Sequence, residues 1–147
     1  MIDELDKKIV RVMNANARKS FRELAKDVGT SVTAVIHTVK KLEALGAIKG
    51  YIPLVDATYF GLDLSAAIAL KISQGKLLEA QEKIAEDAHV AAVYDITGEW
   101  DSLVIAHFRG RDDLNKFLKR LNAMKYIDRT VTHIVLNTVK DERRVFV

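Results

Sequence analysis

The stretch Ser20-Phe21-Arg22-Glu23-Leu24-Ala25-Lys26-Asp27-Val28-Gly29-Thr30-Ser31-Val32-Thr33-Ala34-Val35 decides how the front of the chain folds. A serine followed three residues later by a glutamate is the pattern of a helix start in which each side chain satisfies the other's backbone amide. Phe21, Leu24, Ala25 and Val28 then recur at helical spacing. Gly29 supplies the residue that tolerates the left-handed conformation of a sharp turn. After Thr30-Ser31 a second helix carries Val35, Val39, Leu42 and Leu45 inward and stops at Gly46. Two short helices meeting across a glycine, with a small residue (Ala25) at their contact, make a helix-turn-helix.

Upstream, Leu5, Ile9, Val12 and Met13 predict one more helix with Asp3 as its N-cap, so residues 1–50 read as three helices around one small core. Downstream, residues 47–56 change period. Ile48, Ile52 and Val55 around Gly50 predict a short hairpin, or wing, that Pro53 confines to an edge or turn, and residues 51–63 form this wing and a linker. If the second helix of the pair enters a major groove, Thr33, Ile36 and His37 face base edges. Lys40 and Lys41 then suit phosphates, with Ser31 capping the helix start and Arg18, Lys19, Arg22 and Lys49 as flanking cations. The charge distribution agrees: residues 1–50 are net +4, residues 51–147 net −1. A plain three-helix core with a solvated charged face, or a protein-contact module, fits the same pattern, and the pattern alone leaves these open.

From Leu64 the period is that of a strand. Leu64, Ala66, Ile68, Leu70 and Ile72 alternate with small residues. A helix at 76–88, strands at 90–97 and 102–109, a helix at 112–124 and a strand from Thr130 to Val139 follow. In the second helix Asp112 and Asp113 sit at the start and Lys119, Arg120 and Lys125 towards the end, as the helix dipole favours. The order β-α-β-β-α-β is ferredoxin-like, so the chain is α+β, with residues 64–147 as the second domain. Helices cover one face of such a sheet; the other, lined by small apolar residues, is most simply covered by a second copy.

Composition excludes several chemistries. The 147 residues are 49% hydrophobic and 29% charged with one Pro and seven Gly, which is globular usage. With no cysteine there is no disulfide scaffold, thiolate zinc site, iron–sulfur cluster or cysteine nucleophile. No apolar run reaches the roughly 18–20 residues of a membrane helix. The acidic start Met1-Ile2-Asp3-Glu4 is not signal-like, so a soluble, cytoplasmic chain with no membrane partner is expected. His37, His89, His107 and His133 lie on separate elements without metal-ligand spacing, and neither a phosphate-cradling glycine loop nor a nucleophile elbow is present; no metal, cofactor or catalytic residue is expected. The loop Gly98-Glu99-Trp100-Asp101 reads first as a hairpin connection.

Three runs carry a family resemblance: Leu5-Asp6-Lys7-Lys8-Ile9-Val10; Phe21-Arg22-Glu23-Leu24-Ala25 with Val28-Gly29; and Val39-Lys40-Lys41-Leu42-Glu43-Ala44-Leu45-Gly46-Ala47-Ile48-Lys49-Gly50-Tyr51. Together with Val93-Tyr94-Asp95-Ile96-Thr97-Gly98-Glu99-Trp100-Asp101 and Arg129-Thr130-Val131-Thr132-His133-Ile134-Val135-Leu136, they resemble the Lrp/AsnC (feast/famine) transcription regulators over essentially the full length. The resemblance implies a winged helix-turn-helix that binds double-stranded DNA, linked to a ferredoxin-like domain that pairs copies into a homodimer and rings such as octamers. It also implies an amino-acid effector held between dimers, with the Thr97–Asp101 loop and the strand near Thr130 as walls of its pocket: Glu99 or Asp101 suits the ammonium, Gly98 exposes its backbone, and the hydroxyls of Thr97, Thr130 and Thr132 suit the carboxylate. Thr38 (arginine in many members), Pro53, Asp87-Ala88-His89-Val90 and Lys125-Tyr126-Ile127 depart from the family pattern. Two other readings share the architecture. One is a sirohaem-decarboxylase-like enzyme using His107, His133 and Arg129; the other is a DNA-organising protein without an effector.

Overall fold

The computed structural model describes all residues, 1–147, as two compact units: residues 1–54 with 140–147, and residues 55–139. The first holds α1 (Glu4–Ala15), α2 (Phe21–Val28) and α3 (Val32–Ala44). Each start is capped as its sequence requires. Asp3 and Asp6 exchange backbone-to-side-chain hydrogen bonds at α1, at 2.7 and 2.9 Å, and Ser20 and Glu23 do the same at α2. Gly29 ends α2 at φ 78°, where a side chain would be strained. Ile9, Leu24, Ala25, Val35 and Val39 form the core, with Leu5, Val12, Met13 and Val28 packed against it.

One expectation for this unit changes. Residues 47–56 form no hairpin; they run without strand structure into a 3-10 turn at Ala57–Phe60. Ile52, Leu54 and Val55 are exposed, so the alternation that suggested a wing finds no partner strand within the chain. The last eight residues group with the first unit. Arg11 Nε donates to the Val147 carbonyl at 2.6 Å and Asn14 Nδ2 to that of Val145 at 2.9 Å.

The second unit holds β1 (Leu64–Ile72), α4 (Leu77–Ala85), β2 (Val90–Asp95), β3 (Ser102–Phe108), α5 (Arg111–Asn122) and β4 (Ile127–Ile134). The antiparallel sheet has the order β2-β3-β1-β4, the ferredoxin-like arrangement. Pairing of Ala66 with Ala106, Ile68 with Val104 and Leu70 with Ser102 puts one set of side chains under the helices. There Ala66, Ile68, Leu70, Val104, Ala106 and Phe108 pack on Ala80, Ile84, Leu114, Phe117 and Leu121. Each large side chain fully buried this way stabilises the fold by about 1.5–3 kcal/mol over its exposed form. The alternate set, Ala67, Ala69, Leu103, Ile105 and Val131, faces away from them. β4 starts at Ile127 and not at Thr130, because Ile127 reaches Ile72 across a bulge; it ends at Ile134, and Leu136 and Val139 beyond it are exposed.

Candidate nucleic-acid interface and effector loop

The amphipathicity that builds the helix-turn-helix leaves the opposite face of α3 open. Val35, Thr38, Val39 and Leu42 point inward, while Thr33, His37 and Lys40 are exposed and Ile36 is half-buried. Lys40 is in no ion pair, and Arg22 and Lys49 are likewise exposed and unpaired. Ser31 is exposed, but its Oγ accepts from Ala34 N at 3.1 Å, so it caps α3. Thr38, where many family members carry arginine, is 4% exposed and packs inward.

Lys41 differs from its neighbour. Its ammonium lies 2.6 Å from Asp6 Oδ1 and donates to Oδ2 at 2.8 Å, with Asp3 at 3.7 Å. Asp6 is 1% exposed, and its Oδ1 has no directed hydrogen bond, so charge alone holds that oxygen. Burial works against its ionisation; the Lys41 ammonium and the Asp3 backbone amide more than offset this and hold the carboxyl below its usual range. Lys41 is therefore a tie between α1 and α3, where sequence reasoning had it facing phosphate. Lys19 is similarly held, 2.6 Å from Asp27. Tyr51 donates to Glu43 at 2.9 Å and anchors the chain leaving α3; burial, then the Glu43 carboxylate, push its phenol up to about 12.

In the second unit the loop between β2 and β3 is lashed to the sheet. Asp101 Oδ2 accepts from the Ile72 amide at 2.8 Å, its backbone amide donates to the Leu70 carbonyl at 2.9 Å, and Lys71 Nζ sits 3.5 Å from Oδ1. The Ile72 amide above all holds the Asp101 carboxyl below its usual range. Asp101 thus terminates the β1–β3 ladder, a role that the spacing did not reveal. Glu99 reaches Arg129 at 3.1 Å, and the Arg129 guanidinium lies over the Trp100 ring, 4.6 Å from its centre. Thr97 and Gly98 are exposed at the tip, with Gly98 at φ 108°.

The expected effector residues are not all brought together. Thr130 and Thr132 pair in register with Leu70 and Ile68 and so share the helix-covered face, whereas Arg129 pairs with Lys71 on the open one. Thr130 Oγ1 donates to Asn122 at 3.2 Å. The residues that meet are Glu99, Trp100 and Arg129, an acid, an aromatic ring and a cation. Sequence reasoning passed over Trp100 and did not place Arg129 beside Glu99. The signal that would have done so is the β1–β4 register, which sets Arg129 opposite Lys71.

His107 and His133, weighed with Arg129 for tetrapyrrole chemistry, sit elsewhere on the open face. His107 Nδ1 is 2.7 Å from Ser65 Oγ, and His133 pairs in register with Ala67. Ser65 and Lys71 are six residues apart on β1, so His107 and Arg129 are separated by roughly 20 Å at strand rise. The structure contains no group of three or more His, Cys, Asp or Glu placed to hold a metal. No helix is long and apolar enough to cross a membrane.

Known proteins share this organisation. Residues 2–43 match the AsnC-type helix-turn-helix domain, and residues 65–145 match the Lrp/AsnC ligand binding domain. An HTH-type transcriptional regulator of Pyrococcus abyssi is 39% identical over 145 residues, 99% of each chain. The structure of AsnC from E. coli aligns with a TM-score of 0.89 at 27% identity, covering 97% of both chains. A regulator of Neisseria meningitidis, solved as its L-Met complex, aligns with a TM-score of 0.89 at 25% identity, covering 99% of this chain and 96% of that one. A DNA-binding helix-turn-helix and a ligand-binding ferredoxin-like unit, matched in order and over full length, make this chain a member of the Lrp/AsnC family of transcriptional regulators.

Proposed function

We propose that the chain is a sequence-specific regulator that reads duplex DNA with the outer face of α3 and whose assembly and DNA binding respond to a free amino acid. The observation that carries the first half is the state of that face: Thr33, His37 and Lys40 are exposed and engaged by no other side chain of the protein. In this reading Thr33, Ile36 and His37 meet base edges, and Lys40, Arg22 and Lys49 meet phosphates. Ser31 fixes the helix start, and Lys41 fixes the helix against α1.

The effector half rests on the ligand-binding match and on the solved L-Met complex of the Neisseria relative. Glu99 and Arg129 carry the two charges an amino acid needs, one for its ammonium and one for its carboxylate, and at present neutralise each other. Thr97 and Gly98 at the tip complete the candidate set, with Asp101 holding the loop in shape; Thr130 and Thr132, on the helix-covered face of the sheet, stand outside it. The open sheet face, with Ala67, Ala69, Leu103, Ile105 and Val131, supports pairing of two copies. Two recognition helices in such a dimer meet half-sites about one helical turn, or a multiple, apart, and rings of dimers multiply the attachment.

A thermal-denaturation screen of the standard amino acids tests the effector assignment. A ligand at 100 times its dissociation constant adds about 2.7 kcal/mol. A hit that also changes DNA binding or particle size supports the proposal; no hit, with DNA binding intact, favours a DNA-organising protein without an effector. A bound or bleached tetrapyrrole would favour the decarboxylase reading.

A further inference from the structure

We infer that α5 is a second duplex-contacting surface, lying outside the helix-turn-helix and recognising the phosphate backbone. The inference rests on the DNA binding of the first unit and adds a site to it. Residues 55–139 contain ten Lys and Arg and twelve Asp and Glu, so this unit has enough carboxylates to neutralise every cation. Five cations are neutralised: Lys71 by Asp101, Lys76 by Glu79, Lys83 by Glu86, Arg120 by Asp87 and Arg129 by Glu99. The five in no ion pair are Arg109, Arg111, Lys116, Lys119 and Lys125, all exposed, and all on α5 or within three residues of its ends. Free positive charge in an acidic unit is thus gathered on a single element.

Folding does not account for this distribution. The helix dipole favours Lys119 in the last turn of α5, but it opposes Arg111, the first residue of that helix. α4 is the internal contrast, since both its flanking Lys76 and its own Lys83 have a glutamate three residues on. A long, regularly charged polyanion fits the surface better than a second copy of the chain. The carboxylates left without a cation, Asp56, Asp63, Glu82, Asp95 and Asp128, lie on separate segments and form no complementary stripe, and Asp112 lies on α5 itself. From Arg111 to Lys119 the helix rises about 12 Å, the axial span of three or four phosphates of one DNA strand.

The test compares two double variants that remove the same charge: Lys116→Gln with Lys119→Gln on α5, and Lys76→Gln with Lys83→Gln on α4. Binding to a long random-sequence duplex is measured across a salt series, with melting temperature and sedimentation recorded for each protein. The α5 variant is expected to flatten the plot of log affinity against log salt by about 0.9 per lysine, while the α4 variant leaves it unchanged. Melting temperature and particle size stay as in the parent. An unchanged slope for the α5 variant overturns the inference, as does an equal loss in both variants, which marks a net-charge effect. A change in particle size at constant slope also overturns it, in favour of a contact between copies. Lys40→Ala in the same assay keeps the two claims apart: if it alone loses slope, the helix-turn-helix assignment stands and the α5 assignment falls.

Discussion

The outer face of α3 and the loop from Thr97 to Asp101 were both singled out as places where polar side chains await a partner, and the structure treats them oppositely. On α3, Thr33, His37 and Lys40 remain unengaged. In the loop, Asp101 is taken up by the β1 backbone and Glu99 by Arg129. A helix of known phase shows its solvent face directly, because 3.6-residue periodicity assigns every side chain a direction. A loop residue acquires its partners from strands distant in sequence, and those partners decide whether it is free to bind a ligand or is part of the frame. Lys40 and Lys41 restate the contrast within a single turn: adjacent, alike in type, one exposed and the other tied to a buried carboxylate.

That pair offers the largest expected effect. Lys41→Met strands Asp6 in the core without its counter-charge and is expected to reduce the folding equilibrium constant about tenfold or more. The salt dependence of DNA binding is unchanged in whatever protein stays folded. Lys40→Met should do the reverse, leaving the melting temperature alone and lowering the salt slope by about one. Should Lys41→Met lower the slope by one at constant stability, the two lysines are equivalent phosphate contacts and the contrast breaks.

Next in size is Asp101→Asn, which keeps the shape of the side chain but loses the charge facing Lys71 and weakens acceptance from Ile72. Lower thermal stability of the second unit and a blunted effector response are expected together. Loss of the response at full stability would mean that Asp101 touches the ligand. Acid should expose the same logic in the first unit. The folded-state carboxyl of Asp6 titrates below its unfolded value of 3.8, so its contribution is present above that pH and disappears as pH falls through the folded value. Asp6→Asn should therefore be less stable than the parent at neutral pH, and the gap should narrow as pH falls below about 4 and close only below the folded value. Urea denaturation at both pH values measures it. The smallest effect belongs to Thr33→Ala and His37→Ala. Each is expected to lower affinity for a selected site by up to about tenfold while sparing random DNA; equal losses on both would remove that residue from base readout.

Most of the fold was legible because capping signals and periodicity are local. Ser20 with Glu23, Gly29 at the turn and the alternation from Leu64 each constrain their own neighbourhood. What periodicity does not show is a remote partner. A wing requires two strands to pair, and apolar alternation around Pro53 supplied no second strand. The contacts of the tail are equally remote: Arg11 and Asn14, more than a hundred residues earlier, donate to the carbonyls of Val147 and Val145. The candidate site divides the same way. The α3 face could be read from phase, whereas the meeting of Glu99, Trp100 and Arg129 depends on strand register and a bulge at Lys71/Ile72.

Site-directed crosslinking tests the central claim most directly, because the chain has no cysteine to interfere. His37→Cys on α3 and Ala85→Cys on α4, both exposed positions, are each armed with a photoactivatable group and irradiated with duplex DNA. The account predicts a covalent protein–DNA adduct from position 37 and none above background from position 85. An adduct absent at 37, or equally abundant at both positions, would contradict it.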